Sequence, residues 1–89
     1  MKAIRWSADA WEEYLTWQKE DRKTLKKINS IIKDIQRNGT QGIGKSEKLH
    51  GNLSGWYSRR IDKGNRVVFR VKDDQLEIVQ VKTHYQIKH

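Results

Sequence analysis

Glu47 is the only carboxylate between residues 45 and 60, and Lys45 and Lys48 flank it. Arg59, Arg60 and Arg66 follow, and the pair His84-Tyr85 lies near the end of the chain. A carboxylate, guanidinium groups and an imidazole are what RNA cleavage requires when neither a metal nor a protein nucleophile takes part. The substrate's 2′-OH attacks the adjacent phosphorus once a base removes its proton. An acid protonates the leaving 5′-oxygen, and cations hold the extra charge of the phosphorane. Each acid–base role typically contributes ~10²–10⁴-fold, and donors aimed at the developing charge act on a similar scale. Glu47, Arg60, Arg66 and His84 are candidates for these parts. Taken singly, each also reads as an ordinary group: a loop carboxylate, solvated or ion-paired strand arginines, an idle histidine. His50 reads as a turn residue or a site residue. Tyr85 reads as a packing aromatic or a platform for an RNA base, since bases stack on tyrosine. Trp56 and Tyr57 alternate, which places one toward a core and leaves the other for stacking.

Other chemistries find less support. His50, His84 and His89 form no close-spaced ligand cluster, so no metal is expected. No glycine-rich phosphate loop joins a strand to a helix, so no nucleotide cofactor is expected. No serine sits in a nucleophile-elbow context. The absence of cysteine excludes disulfides and thiolate metal sites. No stretch approaches the ~20 apolar residues of a membrane span, so a cytoplasmic protein with no membrane partner is expected. The formal charge is +8, and residues 45–72 alone carry eight basic and two acidic groups. Concentrated positive charge of this kind favours polyanions, above all nucleic acid, although it also suits a merely solvated surface.

The elements that must position these groups follow from periodicity. Residues 2–6 alternate as a first strand, and Ser7 is a good N-cap. Trp11, Tyr14, Leu15 and Gln18 fall at i, i+3, i+4 and i+7, predicting a helix over about residues 8–19. Asp21 caps a second helix over about residues 22–37, with Leu25, Ile28, Ile31, Ile32 and Ile35 on its apolar stripe and Asn38-Gly39 as its stop. Residues 39–54 hold four of the six glycines and read as an irregular connection. A connection this long in a small domain is more often functional than not. Strands are predicted at 56–61, at 66–72 and at 75–81, joined by turns at 62–65 and at Asp73-Asp74. In the middle one, Val67, Phe69 and Val71 share one face, and Arg66, Val68 and Arg70 the other. The fold class expected is α+β: one domain over residues 1–89, with an N-terminal strand and a two-helix hairpin packed on an antiparallel sheet.

Six segments, in order along nearly the whole chain, carry a resemblance. They are W-S-x-x-A-W-x-x-Y-L-x-W from Trp6, K-K-I-N-x-x-I-K-D-I from Lys26, G-x-G-K-x-E-x-L from Gly42, N-L-S-G-x-x-S-R-R-I from Asn52, R-V-V-F from Arg66, and H-Y at His84. Together they resemble the YoeB/Txe branch of the RelE superfamily of bacterial toxins. The resemblance implies a RelE-like fold and a ribosome-dependent mRNA endonuclease that cuts message in the A site. Its partners would be ribosome-bound mRNA, rRNA, a YefM-type antitoxin and a second copy in a homodimer. By position, Glu47 would be the general base, Arg66 would stabilise the phosphorane and His84 would be the general acid. Arg60 would bind phosphate and Tyr85 would orient the substrate. Lys45, Lys48 and His50 would add RNA contacts, and Arg59 would point outward with a minor part. Three departures stand out: His50 where relatives commonly have lysine, Ser46 where proline is usual, and the tail 86–89 beyond the usual His-Tyr ending. An imidazole is suited to acid–base work where an ammonium is not, so His50 would be placed to share it. Two other readings remain: a non-enzymatic toxin of the same fold that blocks a protein such as DNA gyrase, and an RNA-binding module without chemistry.

Overall fold

The computed structural model describes residues 2–41 and 46–82. Ser7 closes strand β1 (Ala3–Trp6) and starts helix α1 (Ala8–Glu20): its Oγ accepts from the Ala10 N–H at 3.0 Å. A cap of this kind contributes about 1 kcal/mol. Asp21 serves two helices at once. Its N–H donates to the Trp17 carbonyl at the end of α1, while its carboxylate accepts from the Thr24 N–H and hydroxyl at the start of α2 (Arg22–Asn38). Those donors hold the Asp21 carboxyl below its ordinary value, the Thr24 N–H contributing most. Gly39, at φ 62°, ends α2 in the left-handed region where glycine is favoured.

After a short 3-10 turn (Gly39–Gln41) come β2 (Glu47–Lys48), a second such turn (Gly51–Leu53), β3 (Tyr57–Arg60), β4 (Arg66–Lys72) and β5 (Gln75–Gln80). The five strands form one sheet in the order β1-β5-β4-β3-β2. β2 to β5 pair antiparallel, whereas β1 lies parallel to β5, with Ala3 opposite Gln75 and Trp6 opposite Ile78. The α+β class therefore stands, with a mixed sheet in place of a purely antiparallel one. The helices between β1 and the meander form the long crossover that a parallel pair requires. Asp73 and Asp74, both at positive φ (52° and 62°), make the β4–β5 turn in the manner of a type I′ hairpin. The strands match their expected positions to within one residue at each end. β2 was not expected, because the sequence placed it inside the irregular connection.

Both helices lie on one face of the sheet. Ile28, Ile32 and Ile35 of α2 meet Val67, Phe69, Leu76 and Ile78 from the strands, and all are buried. The apolar face of α1 differs from the one predicted: Ala10 and Trp17 enter the core, while Trp11 remains 43% exposed. The reason is polar. The Trp17 indole N–H donates to the Val81 carbonyl at 2.7 Å, a buried bond that turns the helix by about one position. Trp11 instead joins Trp6 and Tyr14 in an aromatic cluster at the margin, with ring centres 4.9–5.8 Å apart. No helix among the described residues is long and apolar enough to cross a membrane.

Candidate active site

The face of the sheet away from the helices carries Glu47, Arg60, Arg66, Arg70 and Glu77 beside the buried Ser58 and Val68. Alternation along β3 sends Ser58 and Arg60 to this open face, and Tyr57 and Arg59 toward the helices. Glu47 pairs in register with Ser58, and Arg60 with Arg66. The open face thus brings Glu47, Arg60 and Arg66 onto adjacent strands. A carboxylate oxygen of Glu47 lies 4.0 Å from an Arg66 Nη1, and the two side chains are 67% and 27% exposed. Solvent screens such a pair and holds it weakly, so the two groups can part around a substrate phosphate. Chemically, this is a carboxylate able to take a proton beside two guanidinium groups able to hold a phosphoryl group.

Each group has a backbone support. β2 is only two residues long, and the Leu49 N–H extends its pairing by donating to the Trp56 carbonyl at 2.9 Å. The return to β3 is a chain of tight turns in which Gly51 and Gly55 adopt φ of 66° and 95°, conformations open mainly to glycine. Arg66 is set by the turn before it, where Asp62 Oδ1 accepts from the Gly64 and Asn65 N–H groups at 2.9 and 3.0 Å. Its own N–H donates to the Lys82 carbonyl at 2.9 Å. Helix α1 grips the neighbouring residue: Glu13 Oε1 accepts from the Val81 N–H at 2.8 Å, and Trp17 bonds the Val81 carbonyl. Burial pushes the Glu13 carboxyl above its ordinary value, and the Val81 N–H offsets part of that rise.

Two expected RNA contacts take other positions. Arg59, read as pointing outward, is buried on the helix side: its Nη1 donates to Asp34 of α2 at 2.6 Å, and Nε and Nη2 reach the Ser46 hydroxyl at 3.4 and 3.3 Å. That hydrogen bond is the main reason the Asp34 carboxyl lies below its ordinary value. A buried guanidinium needs a paired carboxylate, and on the helix side Asp34 of α2 supplies it. Lys48 pairs with Tyr57, so alternation turns it away from the face that Glu47 occupies. His50 is exposed at the start of the 3-10 turn, and its carbonyl accepts from the Leu53 N–H. Lys45, His84, Tyr85 and the tail 86–89 lie outside the described residues.

Sequence reading missed Ser58, which is fully buried between Glu47 and Val68 in one cross-strand row. Among the described residues its hydroxyl has no hydrogen-bond partner. It missed the Glu13–Val81–Trp17 grip too, because nothing local marks a contact across 64 or 68 residues. Among the described residues no group of three or more His, Cys, Asp or Glu is placed to hold a metal ion.

The model of the YoeB-like toxin of bacterial type II toxin–antitoxin systems matches residues 6–85. Toxin YoeB of Streptomyces coelicolor is 49% identical over 82 residues, covering 92% of this chain and 98% of that protein. Two solved structures from Staphylococcus aureus superpose closely. One is a YoeB–YefM complex, with TM-score 0.86, 45% identity and coverage of 96% of this chain and 99% of the other. The other is a YoeB dimer, with TM-score 0.85, 47% identity and coverage of 94% and 98%.

Proposed function

The chain belongs to the YoeB-like toxins of bacterial type II toxin–antitoxin systems, and from that membership we propose that it is a metal-independent endoribonuclease acting on message held in the ribosomal A site. The observation that carries the reading is the placement of Glu47 within 4.0 Å of Arg66, with Arg60 opposite Arg66 on the same open face. Glu47 takes the proton of the 2′-OH as its oxygen forms a bond to phosphorus. Arg66 and Arg60 hold the phosphorane charge and the incoming phosphate. His84 protonates the 5′-oxygen as the P–O5′ bond breaks, leaving a 2′,3′-cyclic phosphate and a 5′-OH. Tyr85 orients the substrate. His50 shares the acid–base work, so His50→Lys preserves cleavage but flattens its pH profile; an unchanged profile would remove His50 from the chemistry.

The protein acts in the cytoplasm, where ribosomal RNA is a further contact. A YefM-type antitoxin restrains it, as the YoeB–YefM complex of the Staphylococcus aureus relative supports. It forms a homodimer, as that relative does. The test expresses wild type, Glu47→Ala, Arg66→Ala and His84→Ala and maps 5′ ends on ribosome-bound message. The wild type is expected to create new ends near the A-site codon, and each substitution to reduce them by ~10²-fold or more. Equal toxicity from all four without new ends would refute the nuclease. A DNA-damage response in its place would point to blockade of a protein such as gyrase.

A further inference from the structure

The open face continues beyond Glu47 and Arg66. Arg60 and Arg66 form one cross-strand row, and Glu47, Ser58, Val68 and Gln80 form the next. A third row runs through Arg70, its register partner Glu77, and Arg5 of β1 opposite Glu77. Along β4 the rows are two residues apart, roughly 6–7 Å, comparable with the step between successive phosphates of an extended RNA strand, while a register shift at Val68/Phe69 sets Gln80 and Glu77 three apart on β5. Arg70 is fixed in this third row. Its Nε donates to Glu77 Oε1 at 2.6 Å, and its Cζ lies 4.4 Å from the centre of the Trp56 indole. Trp56 covers one side of the guanidinium, and 34% of the Arg70 side chain remains exposed. Beyond it opens a cleft of about 380 Å³ lined by Arg5, Arg70, Lys72 and Glu77 among others.

We propose that Arg70, backed by Trp56 and pinned by Glu77, is a stacking platform for a base of single-stranded RNA on the far side of Glu47 from Arg66, with Arg5 and Lys72 meeting phosphates in the cleft beyond. The proposal rests on the reading that message is cut beside Glu47 and Arg66. RNA is the fitting occupant because the charge of Arg70 is already met by Glu77. What the residue still offers is a flat, immobilised surface. Bases stack on guanidinium planes and aromatic rings, whereas a carboxylate of an acidic peptide gains nothing from a plane. The neighbouring cations keep the strand's phosphates attracted to the same face, so charge and stacking act on different parts of one nucleotide chain.

Fluorescence anisotropy of an uncleavable, 2′-O-methylated nine-nucleotide RNA tests this at low salt. Arg70→Lys retains the charge and loses the plane, and it is expected to weaken binding about tenfold, the scale of one stacked base. Trp56→Leu, which removes the backing, is expected to act in the same direction. Against an abasic nine-mer both variants are expected to bind as the wild type does. Undiminished binding by Arg70→Lys would overturn the platform. So would an equal loss on the abasic strand or on polyglutamate, or no measurable wild-type binding of the nine-mer. Because the assay reads no cleavage, it separates two failures. New message ends with no Arg70→Lys effect sink the platform alone, whereas a base-dependent loss without any message ends sinks the nuclease reading.

Discussion

Arg59 and Arg60 are adjacent in sequence and opposite in use. Arg59 is buried against Asp34, while Arg60 is exposed beside Arg66. Removing one member of a fully buried pair costs ~3–5 kcal/mol; with Asp34 still 21% exposed, Arg59→Ala is expected to cost about 2–3 kcal/mol. Arg60→Ala is expected to change stability by no more than ~0.5 kcal/mol while weakening RNA binding. Urea melts and anisotropy on both variants check this, and similar melts for the two would contradict the division. Asp34 and Glu13 give stability opposite pH dependences. The Asp34 carboxyl sits below its ordinary value, so its contribution is present above the unfolded value of about 3.8 and is lost as pH falls through the folded one. Glu13 sits above its ordinary value of 4.5 because it is buried, with Asp9 adding to the rise and Lys82 opposing it. Its contribution is present below 4.5 and is lost as pH rises through the folded value. Glu13→Gln keeps an acceptor for the Val81 N–H but cannot ionise. The difference in Tm, variant minus wild type, should therefore grow between pH 4 and pH 8, and a constant difference would show that Glu13 does not titrate there.

At the level of elements, the least conspicuous strand matters most to the site. β2 has two residues, yet it carries Glu47, and the residue before it is tied to α2 through Arg59. Ser46 accepts two contacts from that guanidinium, at 3.3 and 3.4 Å. It thereby restrains the backbone just before Glu47. Ser46→Ala is expected to leave the thermal melt within ~0.5 kcal/mol of wild type and to slow message cleavage several-fold under single-turnover conditions. Ser46→Pro should recover the rate by fixing φ directly. Full activity in Ser46→Ala would make the tie incidental. This strand could not be read from sequence, because Glu-Lys has neither length nor alternation, and pairing with Ser58 and Tyr57 alone defines it. The helices were legible because isoleucines recur at helical spacing in α2, and Ser7 and Asp21 are effective caps. The face of α1 was less so. Two apolar registers compete there, and a carbonyl 64 residues away decides between them.

For the molecule as a whole, the candidate site was legible as a set of residue types and illegible as a geometry. Glu47, Arg60 and Arg66 could be named from chemistry and resemblance, but their shared face depends on the pairing of three strands. The error over Arg59 has the same origin, since neighbours on a strand face opposite ways and only the position of Asp34 shows which way is buried. With a net charge of +8, the RNA binding proposed above is expected to weaken with salt. Each phosphate contact on a single strand contributes a slope of about −0.7 in log affinity against log salt. Arg60→Ala should flatten that slope by about this amount, whereas a destabilised but folded Arg59→Ala should keep it. Equal slopes in all three proteins would place Arg60 away from the phosphates.

The parallel seat of β1 beside β5 also has a consequence in time. Ala3 pairs with Gln75, so the first strand made has no partner until the last strand is made. Everything from Ile4 to Asp74 lies between these two partners, and loops this long close slowly. A nascent chain therefore cannot complete this sheet until β5 has been made. Stalled nascent chains ending before residue 75 should accordingly remain sensitive to protease, while chains released at full length resist it. Resistance in the shorter chains would mean that the fold forms without its first strand in place.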